Sequence, residues 1–233
     1  MNKELFIEEL KKLNIEVTED KLTKLEKYYQ LLVSENKLYN LTAITEEKQV
    51  YLKHFYDSLT ISKTINITTQ SIIDLGTGAG FPGMVLKIFY PEIKLTLLDS
   101  TLKKCNFLKK VTEELNLNNV TIINERAENY SKNNREIYDV VVSRAVAPLK
   151  HLLEYGVPLL KINGIFISMK GNIENDITNI DNYINKLNLS PIDITSFMLP
   201  IEESNRNLVK FIKLAKTPDI YPRKYTDIKK EKI

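Results

Sequence analysis

Residues 71–83 read SIIDLGTGAGFPG, and this stretch decides the fold. Four of the seven glycines of the 233-residue chain lie in it, at positions 76, 78, 80 and 83. Glycine tolerates positive φ and lets the backbone approach a ligand closely. A strand that runs into a glycine-rich turn and then a helix binds nucleotide cofactors in parallel sheets. We therefore expect a strand, a cofactor-binding turn and a helix here.

The segments behind the turn alternate between short apolar runs and helical stretches. The runs KLTLLD, VTIIN, YDVVVSRA and GIFISMKG start at residues 94, 120, 138 and 164. This alternation is typical of a parallel sheet with helices on both faces. Runs 192–199 and 208–214 are separated only by a polar turn, which indicates an antiparallel hairpin at the sheet edge. The predicted fold class is α/β, Rossmann-like and mostly parallel.

The first part of the chain reads as helical instead. Apolar residues recur there at steps of three and four, as in Leu22, Leu25, Tyr28 and Leu32. A further helical stretch spans residues 46–62. We expect a helical amino-terminal extension over residues 1–63 and the α/β domain over residues 64–233.

Composition limits the class of protein. The chain is 43% hydrophobic and 27% charged, as globular proteins are. No apolar run reaches the roughly 18 residues of a membrane span, and no signal peptide is visible, so we expect a cytoplasmic protein. A single cysteine, Cys105, excludes an internal disulfide, and two distant histidines predict no metal site. The net charge of +3 is compatible with a polyanionic partner.

The glycine turn fits two cofactors. Gly78, Gly80 and Gly83 match the dinucleotide fingerprint G-x-G-x-x-G, and Asp99 follows Gly78 by 21 residues, which suits a ribose contact. Asp74 and the glycines at 76, 78 and 80 equally resemble motif I of S-adenosylmethionine (AdoMet) methyltransferases. The Tyr-x-x-x-Lys pair of short-chain dehydrogenases occurs only at residues 90–94, in the wrong place. This favours AdoMet, with Gly76, Gly78 and Gly80 at the ligand and Gly83 in helix packing.

The segment behind the fourth strand, SRAVAP at residues 143–148, bears on the methyl acceptor. It lacks the Asn/Asp-Pro-Pro-aromatic signature of amino-group methylation on adenine or glutamine. Cys105 has no Pro-Cys context and follows the second strand, which argues against a thiolate nucleophile for cytosine methylation. These two absences argue against amino groups of adenine or glutamine and against cytosine as the methyl acceptor, but they do not identify the acceptor.

Six longer runs of the sequence carry a resemblance: YNLTAI (39–44), HFYDSL (54–59), DLGTGAGFPGMVLKI (74–88), LLDSTLKKCNFLKKV (97–111), VVSRAVAPL (141–149) and YPRK (221–224). They resemble the glucose-inhibited division protein B family, over nearly the whole chain and in the same order. Its members are bacterial enzymes that methylate N7 of a guanine in small-subunit (16S) ribosomal RNA. The resemblance implies a class I AdoMet-dependent methyltransferase fold.

The resemblance also implies site residues. Gly76, Phe81, Ala127, Glu128 and Arg144 are expected to bind AdoMet, together with Asp99 at the ribose. No catalytic residue is assigned, because guanine N7 carries a lone pair and needs no general base.

The expected partner is small-subunit ribosomal RNA or the small ribosomal subunit, bound by a monomer without metal or membrane. RNA contacts are expected from cations near the carboxyl ends of the strands and from the extensions. A small-molecule methyltransferase and a non-catalytic RNA-binding module remain as alternatives, and the target nucleotide is open. The expected RNA contacts are Arg144, Lys170, Arg206, Arg223 and Lys224, with Lys53 and His54 as further candidates.

Overall fold

The computed structural model describes residues 1–144, 147–178 and 180–230. Ala145 and Val146 of the SRAVAP segment therefore lie outside the described residues. The described part forms a seven-stranded sheet in the order β3-β2-β1-β4-β5-β7-β6. The strands are β1 (Ser71–Leu75), β2 (Lys94–Asp99), β3 (Val120–Asn124), β4 (Tyr138–Arg144), β5 (Leu160–Lys170), β6 (Asp193–Met198) and β7 (Asn205–Ile212).

Strands β1 to β5 are parallel, whereas β7 pairs antiparallel with β5 and with β6. This confirms the predicted α/β class with an antiparallel edge hairpin. Strand β5 begins at Leu160, four residues before the predicted run. Its register with β4 shifts between Tyr138 and Val140, and Asn163 adopts a left-handed φ of 67° there. Because this irregular start contains polar residues, the pattern of apolar residues did not show where β5 begins.

Helices cover both faces of the sheet in two hydrophobic cores. On β1, Ile72 enters the core formed with α1, α2, α5 and α6, and its neighbour Ile73 enters the core formed with α7, α8, α10 and α11. This is the alternation of a strand buried on both sides. The helices are α1 (Lys3–Lys12), α2 (Glu19–Tyr39), α3 (Glu47–Val50), α4 (Asp57–Leu59), α5 (Gly83–Phe89), α6 (Leu102–Glu114), α7 (Ala127–Asn133), α8 (Leu149–Gly156), α9 (Glu174–Ile177), α10 (Ile180–Leu187) and α11 (Tyr225–Lys230).

Residues 1–63 pack directly on the glycine turn. The Tyr28 ring from α2 stacks on Phe81 at a centroid distance of 5.4 Å and on Phe55 at 5.7 Å. Its buried hydroxyl donates a hydrogen bond to the carbonyl oxygen of Ala79. The extension therefore shares a core with the sheet, and the division of the chain near residue 63 stays a prediction.

The predicted helix at residues 46–62 is observed as a composite segment over residues 47–63. Between α3 and α4 it widens into π-helical turns, Tyr51–Tyr56, and it ends in a 3-10 turn, Thr60–Lys63. The Ser58 hydroxyl donates to the His54 carbonyl oxygen at 2.5 Å. π-helical turns often occur at functional sites. Here the segment buries the polar side chains of His54 and Asp57. No helix in the described part is long and apolar enough to cross a membrane.

Candidate active site

A cleft of about 860 Å³ opens at the carboxyl ends of β1, β2, β3 and β4. The strand order reverses between β1 and β4, and ligands of open α/β sheets bind at such a switch point. The volume lies within the range of about 300–1,000 Å³ that small-molecule sites occupy. Of the predicted ligand residues, the cleft is lined by Gly76, Gly78, Phe81, Asp99, Ala127, Glu128 and Arg144.

The glycines of the turn divide into two groups. Gly76 and Gly78 have φ of 66° and 62°. A Cβ on Gly78 would have no neighbour closer than the Gly76 carbonyl oxygen at 4.0 Å, so this position faces open space. A Cβ on Gly83 would lie 2.6 Å from Leu97 Cδ2. This close contact agrees with the packing role expected for Gly83.

Gly80, which was predicted at the ligand, lies close to side chains of α2 and α6. It is not among the residues that line the cleft. A Cβ there would lie 2.5 Å from the Tyr28 hydroxyl and 2.9 Å from Leu108 Cδ2. We infer that Gly80 serves the packing of α2 and α6 against the turn, and its contact with the ligand stays a prediction.

Asp74 holds the turn in shape from within the core. Its carboxylate oxygen Oδ2 accepts a hydrogen bond from the Thr77 hydroxyl at 2.7 Å and from the Gly83 N–H at 2.8 Å. Burial raises the pKa of this carboxyl to about 6, against the opposing effect of those hydrogen bonds. The acid of the glycine motif thus braces the loop rather than lining the cleft.

Asp99 lies at the end of β2 with both carboxylate oxygens on backbone donors. Oδ2 accepts from the Gly78 N–H at 3.0 Å and Oδ1 from the Thr101 N–H at 2.8 Å. Each carboxylate oxygen has a further lone pair, so the group can also accept from a ligand hydroxyl. Glu128 lies further along the cleft, on α7, 3.7 Å from the Arg126 guanidinium.

Arg144, Phe81 and His54 form a stack at the other end of the cleft. The His54 ring lies over Phe81 at 4.4 Å and 20°, and the Arg144 guanidinium lies 5.2 Å from the Phe81 centroid. Arg144 Nη2 is 3.2 Å from His54 Nδ1, and His54 Nε2 is 3.0 Å from the Thr42 hydroxyl. Burial and the Arg144 charge lower the pKa of His54 to about 3. His54 is therefore a neutral, packed histidine at pH 7.

The predicted RNA-contacting cations have different surroundings. Arg144 and Arg206 both pair with Asp57, each at 3.2 Å. Lys170 pairs with Asp176 at 3.0 Å, and Lys53 with Glu202 at 3.0 Å. Lys224 is exposed before α11. Contact of these residues with RNA stays a prediction.

Arg223 has a packing role that its sequence motif does not reveal. Its guanidinium forms a salt bridge with Glu154 of α8, whose side chain is 0% exposed. The Arg223 backbone N–H donates to the same carboxylate at 3.2 Å. A buried carboxylate needs such a partner. Arg223 therefore attaches the YPRK segment to α8, and its contact with RNA stays a prediction.

Comparison with known proteins agrees with this geometry. The family model of GidB, rRNA small subunit methyltransferase G, matches residues 21–208. The chain belongs to the GidB family. It is 47% identical to the ribosomal RNA small subunit methyltransferase G of Mycoplasma capricolum, covering 94% of both chains, and 46% identical to that of Desulforamulus reducens, covering 92% of this chain and 91% of the relative.

The fold also resembles a solved structure. The SAM-dependent O-methyltransferase of Thermotoga maritima superposes with a TM-score of 0.55 at 16% identity, over 80% of this chain and 72% of that chain. At this identity the likeness concerns the fold alone.

The cleft of this GidB-family chain suits AdoMet, the methyl donor of the family. Its lining offers glycine backbone, an apolar wall at Phe81 and Leu152, the carboxylates of Asp99 and Glu128, and the cation of Arg144. A ligand with sugar hydroxyls, a base and a carboxylate matches these groups. No group of histidine, cysteine and acidic side chains that could hold a metal occurs in the part of the chain that the structure describes.

Several residues that line the cleft were not predicted from the sequence. Thr42 and Ala43 lie in the YNLTAI run, and Thr101 and Lys104 lie in the run at residues 97–111. The signal that marks them is the resemblance of these two runs to the family. Tyr155 on α8 also lines the cleft, and no sequence signal pointed to it.

Proposed function

We propose that this chain transfers a methyl group from AdoMet to N7 of a guanine in small-subunit (16S) ribosomal RNA. One observation carries the proposal. The cleft at the β1/β4 switch point places the open face of the glycine turn between the carboxylates of Asp99 and Glu128 and the cation of Arg144. This arrangement occurs in a chain of the GidB family.

The predicted ligand residues that line the cleft have proposed roles. The backbone at Gly76 and Gly78 allows close approach of the methyl donor. Asp99 accepts from the ribose hydroxyls, and Ala127 and Glu128 contact the adenine. Phe81 and Arg144 lie at the far end of the cleft, where Arg144 provides positive charge for the donor's carboxylate.

AdoMet, when bound, supplies an electrophilic methyl group. Guanine N7 has an in-plane lone pair and no proton to lose, so the residues of the chain need not supply a base. His54, the histidine of the cleft, is neutral and engaged with Arg144 and Thr42. The residues of the site then have to bind the methyl donor and the guanine, orient them and exclude water. Orientation alone can lower the activation barrier by about 7–11 kcal/mol.

The acceptor is ribosomal RNA, as the names of the relatives indicate for those proteins. We place the activity in the cytoplasm, on the small ribosomal subunit or its RNA, with a monomer as the working form. Lys170, Arg206 and Lys224 are the proposed cations for the RNA backbone, beside Arg144.

The test is transfer of labelled methyl from AdoMet to purified RNAs. Small-subunit RNA should take up label, whereas large-subunit RNA and transfer RNA serve as matched controls of the same charge density. Thermal stabilisation by AdoMet but not by NADH is expected in parallel. Equal labelling of all three RNAs, or labelling of small molecules only, would contradict the proposed acceptor.

A further inference from the structure

A second, smaller cavity of about 530 Å³ lies beside the β5 and β7 strand ends. Its lining residues include Asn172, Ser196, Asn205 and Arg206, which carry amide, hydroxyl and guanidinium groups, and Glu174, which carries a carboxylate. Arg206 does not line the main cleft, and Arg144 does not line the second cavity. The two cavities thus have one arginine each.

Asp57 connects the two arginines. Its carboxylate is 5% exposed, with Oδ2 at 3.2 Å from Arg144 Nη1 and Oδ1 at 3.2 Å from Arg206 Nε. Two guanidinium groups therefore share one carboxylate. The nearby Lys53 is already neutralised by Glu202 at 3.0 Å. The buried Asp74 carboxylate also acts on Arg144, whereas within the described residues Arg206 forms a salt bridge only with the shared Asp57. Arg206 is therefore the arginine that can attract a further anion.

Arg206 also has donors to spare. Its Nε donates to Asp57, and its Nη1 donates to the Asn205 carbonyl oxygen at 2.9 Å. Nη2 makes no hydrogen bond within residues 1–144, 147–178 and 180–230. The side chain is 22% exposed. A planar guanidinium that is fixed at one edge and open at the other is well suited to bind a phosphate.

We propose that the second cavity holds the ribonucleotide next to the target guanine, with its phosphate on Arg206. The inference rests on the proposed function, since it presumes an RNA acceptor in the main cleft. Unstacked single-stranded RNA is recognised through phosphates, base edges and 2′-hydroxyls, and the amide and hydroxyl lining matches that chemistry. Asp57 is the positioning residue that aligns Arg206 for the phosphate while it holds Arg144 at the methyl donor.

The chain offers a matched control on the same strand. Lys210 lies four residues after Arg206 on β7, so both side chains leave the same face. Lys210 is also paired, with Asp193 at 2.7 Å, and its side chain is 21% exposed. It lines neither cavity. Arg206→Gln and Lys210→Gln therefore remove one paired cation each, at equal exposure.

The experiment measures binding of a small-subunit RNA fragment across a series of salt concentrations. Arg206→Gln should weaken binding roughly tenfold and lower the slope of log Kd against log salt by about one. Lys210→Gln should keep the wild-type slope, and Arg206→Lys should keep it too because the charge remains. AdoMet affinity should stay at the wild-type value in all three variants, since Arg206 lies outside the main cleft.

A wild-type slope in Arg206→Gln would overturn this inference while leaving the proposed function intact. Loss of AdoMet affinity in Arg206→Gln, with unchanged RNA binding, would overturn it in favour of the donor's carboxylate. Failure of the wild-type protein to methylate small-subunit RNA would overturn the proposed function, and this inference with it.

Discussion

Gly78 and Gly80 are two residues apart in one turn, yet alanine substitution should affect them in different ways. Both have positive φ, 62° and 102°, and an L-residue in such a conformation costs about 1–2 kcal/mol. At Gly78 the new methyl group enters open space, so we expect only this cost. At Gly80 it would lie 2.5 Å from the Tyr28 hydroxyl, and overpacking adds about 1–3 kcal/mol.

The expected loss of unfolding free energy is therefore about 1–2 kcal/mol for Gly78→Ala and about 2–5 kcal/mol for Gly80→Ala. For a chain of this size each kcal/mol lowers the melting temperature by roughly 2–4 °C. Urea and thermal unfolding without ligand measure both. AdoMet titration should then show the reverse order, with the larger loss of affinity in Gly78→Ala because its methyl group projects into the cleft.

A double mutant tests whether contact with the Tyr28 hydroxyl causes the loss of stability in Gly80→Ala. Tyr28→Phe alone should cost about 1 kcal/mol through loss of the hydrogen bond to the Ala79 carbonyl. In Gly80→Ala the same change removes the closest clashing atom, so it should restore part of the lost stability. Strictly additive effects of the two substitutions, or equal destabilisation by Gly78→Ala and Gly80→Ala, would refute the assignment of Gly80 to packing.

Three further predictions concern other parts of the site. The pKa of His54 is lowered to about 3 in the folded protein, whereas it is about 6.5 in the unfolded chain. The free energy of unfolding is therefore highest above pH 6.5 and falls as the pH is lowered, because the unfolded chain takes up a proton first. At pH 4.5 the wild type should lose about 2–3 kcal/mol more of its free energy of unfolding than His54→Gln in urea titrations. Asp74, whose pKa is raised, has the opposite effect: it stabilises the folded protein as the pH falls between about 6 and 4. This effect is the same in the wild type and in His54→Gln, so it cancels when the two are compared. Arg223→Gln should lower the free energy of unfolding by about 3–5 kcal/mol, because the buried Glu154 loses its guanidinium partner, and adding Glu154→Gln should recover part of this loss. An altered salt dependence of RNA binding in Arg223→Gln would show that Arg223 contacts RNA. Asp99→Ala should weaken AdoMet binding about tenfold to a hundredfold in calorimetry, and an unchanged Kd would exclude Asp99 from the ligand site.

The fold was predictable because local patterns and global topology agree. The apolar runs behind the glycine turn are the observed parallel strands, and the edge hairpin lies where two runs share a polar turn. The composite segment over residues 47–63 was predictable only in extent. Its π-helical turns depend on side-chain contacts, such as the stack of His54 on Phe81, that involve residues distant in sequence.

The lining of the cleft was predictable where residues lie at a strand end. Gly76, Gly78 and Asp99 are examples, because the sheet itself brings these positions to the cleft. Roles that depend on contact with a residue remote in sequence were not predictable. The Glu154 partner of Arg223 and the Tyr28 contact of Gly80 come from helices remote in sequence, so the motifs do not reveal these packing contacts.

The most direct test of the central claim is the position of the transferred methyl group. Small-subunit RNA is labelled by the purified protein with methyl-labelled AdoMet, reduced, and cleaved with aniline at N7-methylguanine. We expect the label at one guanine and strand scission at that same residue. Label in another base, label at guanine without scission, or no transfer at all would contradict the assignment of guanine N7 as the acceptor.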